Sequence, residues 1–295
     1  MRTYALYGAG KIGTRAFYEY DVDCFIDNYK NGMEYMGKNV YSLEEYLARD
    51  DRDGIEILVC VADFTEIVQE LQAKGIQFTL YHGAYRNNLT PLSIEIAHGK
   101  WPYKLKELCD FEGREILEIG SRKVVDCFRP FFEKANYTGF DLYEGPNVDV
   151  VGDAHKLSDY FDKQFDLIFS SAVFEHLAMP WVVSDEIIKL CKPGGYIFIE
   201  THYSFTSHER PWHFFQFSEQ ALKVLFSENR GIRCIEAGAS NPMVSCFTDE
   251  ATEDLRGRMV GNVFCHSEFL GQKVEEKQDL NWNLPNDIGL YPKCS

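Results

Sequence analysis

The chain has 295 residues, with 46 Asp and Glu against 30 Lys and Arg and a formal net charge of −16, so a nucleic-acid backbone is excluded as an expected partner. Hydrophobic residues at 45% and charged residues at 26% are ordinary for a globular protein with room for two domains, and no apolar run reaches the roughly 18 residues of a membrane span. Nine cysteines without a C-x-x-C pair, and a start MRTYALYGAG unlike a signal peptide, place the expectation in the reducing cytoplasm.

Residues 1–90 open on TYALYGAGKIGTRAFYEY, a strand, then Gly8-x-Gly10-x-x-Gly13, then a helix. VDCFIDN supplies a second strand ending at Asp27, nineteen residues after Gly8. That is the dinucleotide fingerprint in its required context: Gly8 for the tight turn, Gly10 for the approach of a phosphate, Gly13 for helix–strand packing. Lys11 and Ile12 complete the first helical turn beside the ligand. Asp27 would favour a ribose 2′-hydroxyl over a 2′-phosphate by charge repulsion. GKNVYSLEEYLARD, IEILVCVADFTEIVQELQAKGI and FTLYHG then read as helix, strand, helix and last strand. Residues 91–110 read as a linker and connecting helix, with a turn at Asn87 to Pro91 and a helix from Lys100 to Phe111.

From Arg114 to Glu200 the segments EILEIGSR, YTGFDLYEG, VDVVGDAHKL, FDLIFSSAVFEHL and KPGGYIFIE are short apolar strands ending in glycine, carboxylate or small polar residues. They read as successive parallel strands of a doubly wound sheet, whose ligand sits beyond their carboxyl ends. Gly120 lets the backbone approach a ligand closely. Asp141, twenty-one residues later, sits at the offset of a ribose-binding carboxylate, followed by Leu142. Asp153 and Ala154 follow the strand VDVVG, and Asp153 is also a candidate turn or helix cap. Ser170 and Ser171 leave room at the end of the fourth strand.

Taken together and in order, these five segments resemble a class I S-adenosylmethionine (SAM)-dependent methyltransferase of the type 11 kind, over roughly Phe111 to Thr248. The resemblance implies a seven-stranded sheet with an antiparallel last strand. It places Glu118, Gly120 and Ser121 near the methionine end of SAM, Asp141 and Leu142 at the ribose, Asp153 and Ala154 at the adenine, and Ser170 and Ser171 beside the sulfonium. Ser121, Arg122 and Lys123 depart from the family's further glycines; since SAM has no phosphates, the loop need not cradle a pyrophosphate. The first ninety residues resemble a small CoA-binding or redox-sensor-type Rossmann domain, a module also found ahead of bacterial surface-sugar enzymes. It implies a dinucleotide, a nucleotide sugar or no ligand there.

After the fifth strand, THYSFTSHERPWHFFQFSEQALKVLF holds His202, His208, Glu209 and His213. A neutral imidazole there could take the acceptor's proton, the set could hold a divalent metal, or the side chains could simply brace the loop. The spacing lacks the i, i+4 pair of a helical metal motif, so no metal ligand is assigned. His202 is preferred as base, ahead of His208 and His213, with His176 on the turn after the fourth strand. Ser218 reads as the cap of a helix from Glu219.

IRCIEAGASNPMVSCFTDE is expected to give the last two strands, joined at GASNP. Domains are thus expected at 1–90 and 111–250, with 251–295 a cap, a homo-oligomer contact or a lid. The expected function is SAM-dependent methylation of a small-molecule acceptor, a hydroxyl of a sugar or nucleotide-linked sugar in surface-polysaccharide biosynthesis. A non-catalytic nucleotide-binding scaffold and an NAD-dependent oxidoreductase are the alternatives.

Overall fold

The computed structural model describes residues 2–85, 90–123, 127–277 and 282. Two compact units emerge: Met1–Leu89 with Met243–Val263, and Thr90–Pro242 with Phe264–Ser295. The expected turn at Asn87 to Pro91 and most of the tail beyond 277 lie outside the described residues, wholly or in part. Among the described residues, no helix is long and apolar enough to cross a membrane.

In the first unit the order is β1 (Thr3–Tyr7), α1 (Lys11–Glu19), β2 (Asp21–Ile26), β3 (Glu34–Tyr35), β4 (Lys38–Tyr41), α2 (Leu43–Leu47), β5 (Ile55–Val59), α3 (Thr65–Ala73), β6 (Phe78–Leu80) and α4 (His82–Tyr85). The sheet runs β3-β4-β2-β1-β5-β6, parallel except for the β3–β4 pair. Alternation sorts the strands: Ala5, Tyr7, Cys24 and Ile26 face one core layer, Leu6, Val22 and Phe25 the other. GKNVY, read as part of a helix, instead forms β4. The helix starts only at Leu43, where Ser42 accepts from the Glu45 amide at 3.2 Å and the Glu45 carboxylate accepts from the Ser42 amide at 2.8 Å.

The second unit holds α5 (Trp101–Cys109), β7 (Glu115–Ile119), β8 (Asn136–Asp141), β9 (Val150–Val151), β10 (Phe165–Ser171), α6 (Pro180–Leu190), β11 (Cys191–His202) and α7 (Glu219–Leu225). β12 (Ile232–Cys246) and β13 (Met259–Lys273) follow. The seven strands run β12-β13-β11-β10-β7-β8-β9, with β13 antiparallel to β11, which is the expected class I methyltransferase arrangement. Leu117, Ile119, Phe140 and Ile168 fill one face of the sheet, Ile116, Leu167, Phe169 and Phe198 the other. Ser218 caps α7, accepting from the Ala221 amide at 3.3 Å.

The last strands require a correction. GASNP is not a turn: β12 runs straight through it, and the antiparallel strand is β13, inside the stretch expected as a cap. Gly238 serves close backbone approach, since a Cβ there would lie 2.5 Å from the Ser93 amide nitrogen. The carboxyl ends of β7, β8, β10 and β11 are thereby left at one edge of the sheet, where the site is built.

Candidate active site

Gly120 follows β7 with φ +83°, and a Cβ there would lie 2.1 Å from Val173 Cγ2. Only glycine satisfies both the left-handed backbone and that contact. The Gly120 and Ser121 amides donate to the Phe140 carbonyl at 2.8 and 3.0 Å, which pins the loop to β8. Ser121 is buried against Gly139, and its Oγ has no hydrogen-bond partner among the described residues.

Glu118 sits beneath this loop rather than open to the crevice. It is 4% exposed, accepts from the Tyr137 hydroxyl, and accepts from Asn147 Nδ2 at 3.1 Å. Burial pushes its carboxyl up to about 7, against the pull of those two hydrogen bonds. Asn147 also donates to the Ser121 carbonyl at 2.8 Å, from a backbone with φ +76°. Tyr137 and Asn147 are thus positioning residues that sequence reading missed. The turn EGPN before a strand was the available signal for the second.

Asp141 ends β8 and accepts from the Arg122 amide at 3.1 Å and the Tyr143 amide at 3.0 Å. Arg122 Nε lies 3.8 Å from the same carboxylate, and its guanidinium stands over the Tyr143 ring. The departure at Ser121-Arg122 therefore gives a buried serine and an arginine that flanks the acid. Leu142 beside it is half exposed.

Asp153 takes its capping role: Oδ1 accepts from the His155 amide at 3.0 Å and lies 2.7 Å from His155 Nδ1, with Ala154 opening the 3-10 turn. Burial pushes the Asp153 carboxyl up, but these His155 contacts outweigh it and hold it below the usual range. His155 Nε2 in turn accepts from the Met179 amide at 3.3 Å, a link no sequence spacing announced.

Ser170 is fully buried with an unpartnered Oγ, while the Ser171 hydroxyl donates to Glu200 at 2.8 Å. Ala172 turns the chain with φ +54°, and Glu175 and His176 follow on a 3-10 turn over Phe174–His176.

Here the structure gathers all four candidate catalytic histidines. Ring centroids lie 4.9 Å apart for His176 and His208, 5.2 Å for His202 and His208, and 4.8 Å for His208 and His213. Glu175, fully buried, lies at their base. Its Oε2 accepts from the Thr201 hydroxyl at 2.6 Å, and its Oε1 lies 2.9 Å from His202 Nδ1. Burial raises the Glu175 carboxyl, yet the adjoining His202 and Thr201 prevail and hold it below the usual range. The loop is tied over this acid, because the Phe214 amide donates to the Glu175 carbonyl at 2.8 Å. His213 is lowered by loss of solvent and by the neighbouring His208 and His176.

A second polar group adjoins it. Glu200 Oε2 lies 2.9 Å from His98 Nδ1, and the His98 ring stacks on His266 at 4.1 Å. Burial pushes His266 down to about 4 and Glu268 up to about 7. His98, Glu200, His266 and Glu268 were not anticipated, since they converge from a loop and two antiparallel strands.

In the first unit, Gly8 has φ +122°, and a Cβ on Gly13 would lie 2.0 Å from the Gly8 carbonyl oxygen. Gly10 caps α1 with open space around its Cα, Lys11 is exposed, and Ile12 is half-buried. Asp27 accepts from the Ala9 amide at 3.1 Å and the Tyr29 amide at 3.0 Å, so it braces the glycine loop.

Residues 94–237 match a family model described as a methyltransferase domain. A search among curated proteins finds no match. Among solved structures, a SAM-dependent methyltransferase from Archaeoglobus fulgidus is 18% identical, covering 59% of this chain and 93% of its own, with a TM-score of 0.42. One from Aquifex aeolicus is 19% identical over 59% of this chain and 89% of its own, TM-score 0.38. The YcgJ protein of Bacillus subtilis is 16% identical over 61% of this chain and 100% of its own, TM-score 0.43. Likeness at this level carries nothing about the reaction.

Proposed function

We propose that the second unit is a SAM-dependent methyltransferase acting on a small-molecule acceptor, a hydroxyl of a sugar or nucleotide-linked sugar. The observation that carries the reading is the run of strand ends at one edge: Gly120, Asp141, Asp153 and Ser170–Ser171, with a methyltransferase-domain match across the same residues. The fit to SAM rests on Asp141, whose carboxylate is held in place by two backbone amides, and on the buried, unpartnered hydroxyls of Ser121 and Ser170. SAM supplies a methyl on a sulfonium: the S–CH3 bond breaks as the O–CH3 bond forms, and the electron pair leaves on sulfur as a neutral thioether.

The chain's own contribution is binding and orientation. Asp141 would accept from the ribose hydroxyls, Glu118 would brace the glycine loop through Asn147, and the small side chains at Ser170–Ala172 leave room for the acceptor. The hydroxyl's proton passes to the side of the site that holds His176, His202, His208 and His213. The sugar assignment rests on the resemblance of the first unit to modules that precede surface-sugar enzymes, and a nucleotide or nucleotide sugar at Gly8–Gly13 belongs to the same proposal. Incubation with SAM and a panel of sugar nucleotides and glycans should release S-adenosylhomocysteine with at least one of them. Silence across the panel, from protein shown to bind SAM, would remove the sugar acceptor.

A further inference from the structure

Two buried atoms face each other in this site without bonding. Glu175 Oε1 and His202 Nδ1 lie 2.9 Å apart, yet neither has a hydrogen-bond partner among the described residues, because they are not aligned for one. Glu175 is 0% exposed and His202 8%. A buried carboxylate oxygen and ring nitrogen in ion-pair contact but with no hydrogen bond to either are under-satisfied, so a further atom bound to both is called for.

The surrounding nitrogens fit a cation as that atom. One ligand atom each from Glu175, His202 and His208 lies within 4.8 Å of the others. His208 Nδ1 lies 2.9 Å from the Thr206 carbonyl, which as acceptor fixes the proton on Nδ1 and leaves the Nε2 lone pair available. His176 repeats the device: Nδ1 donates to the Trp212 carbonyl at 2.6 Å, and Nε2 lies 3.9 Å from Glu175 Oε1. Backbone carbonyls orienting imidazoles in this way are the usual outer support of metal-binding histidines.

We propose that Glu175, His202 and His208, with His176 as a fourth ligand, bind a divalent transition metal. Nitrogen-rich donors with one carboxylate suit zinc, cobalt, nickel or iron rather than magnesium or calcium. Ligand atoms around such an ion stand about 3.3 Å apart, so the widest separation must close by up to about 1.5 Å while the Glu175–His202 pair opens slightly. His208, on the loop after β11, is the least buried of the three and the member placed to make that adjustment. The site itself stands without any assumption about the reaction. Its role, polarising the acceptor hydroxyl, rests on the methyl-transfer reading, and it makes His202 a ligand rather than the base.

The test is titration of the metal-stripped full-length chain with cobalt(II), read by visible absorption and competed with zinc. One equivalent should develop the band. His208→Ala should weaken cobalt binding at least about tenfold and Glu175→Gln about a hundredfold, while His82→Ala, outside the cluster, should change nothing. SAM titration of His208→Ala is the control for folding and also separates this inference from the SAM reading, since cobalt can bind whether or not SAM does. Absence of a band at one equivalent would overturn the site. So would a band untouched by His208→Ala, or one equally reduced by His82→Ala.

Discussion

The two glycine loops of this chain solve different problems with similar means. In the first unit Gly8 turns, Gly13 lets α1 pack where a Cβ would lie 2.0 Å from the Gly8 carbonyl oxygen, and the helix begins at once at Lys11. That geometry aims a helix N-terminus at the loop, as a phosphate group requires. In the second unit a single glycine turns, Ser121 is buried, and the next regular element among the described residues is a 3-10 turn at Arg129–Phe131. Among the described residues, the second loop makes its close approach at one residue, Gly120, where the first uses Gly8 and Gly13.

Of the two loops, the first should lose more when its glycine is replaced. Gly13→Ala drives a methyl into fixed backbone and should cost the first unit about 3 kcal/mol, seen as an earlier thermal transition. SAM affinity of the second unit should be unchanged, and a parallel loss would mean the two loops are not independent. Gly120→Ala should cost about 2 kcal/mol through its positive φ and its contact with Val173, and should weaken SAM binding. Adding Val173→Ala removes the contact and should recover part of the loss but not the backbone share. Full recovery would show that the left-handed conformation is dispensable.

A third test of the comparison is the pH response of the acid under the second loop. Glu118 has its carboxyl raised from 4.5 to about 7, so between those values the folded state holds a proton that the unfolded state has lost. Stability should therefore fall as pH rises through that window, by up to about 1.4 kcal/mol per unit. The cost is absent below 4.5 and complete above about 7. Glu118→Gln should flatten the profile in urea melts across this range, and superimposable profiles would show that the acid is not held neutral.

What the sequence made legible is what depends on neighbours in the chain. Both glycine turns, the strand ends at Asp27 and Asp141, and the Ser218 cap each follow from a few consecutive residues. What it hid depends on distant approach. Gly238 and Pro242 resembled a turn, yet Gly238 is there because the backbone at Ser93 comes against it. The histidine cluster has no helical spacing because its members come from the turn after β10, the end of β11 and the loop beyond. Asp153 reads from the sequence first as an adenine contact and second as a cap, and its contacts to His155 show the cap at work.

The most direct test of the central claim is isothermal titration of SAM into the purified chain and into Asp141→Ala. Loss of a charged acceptor for two ribose hydroxyls, at about 1.5 kcal/mol or more each, predicts micromolar binding to the parent and at least a hundredfold loss in the variant. No heat from a well-folded parent, or equal affinity in the variant, would contradict the assignment of this edge of the sheet to SAM.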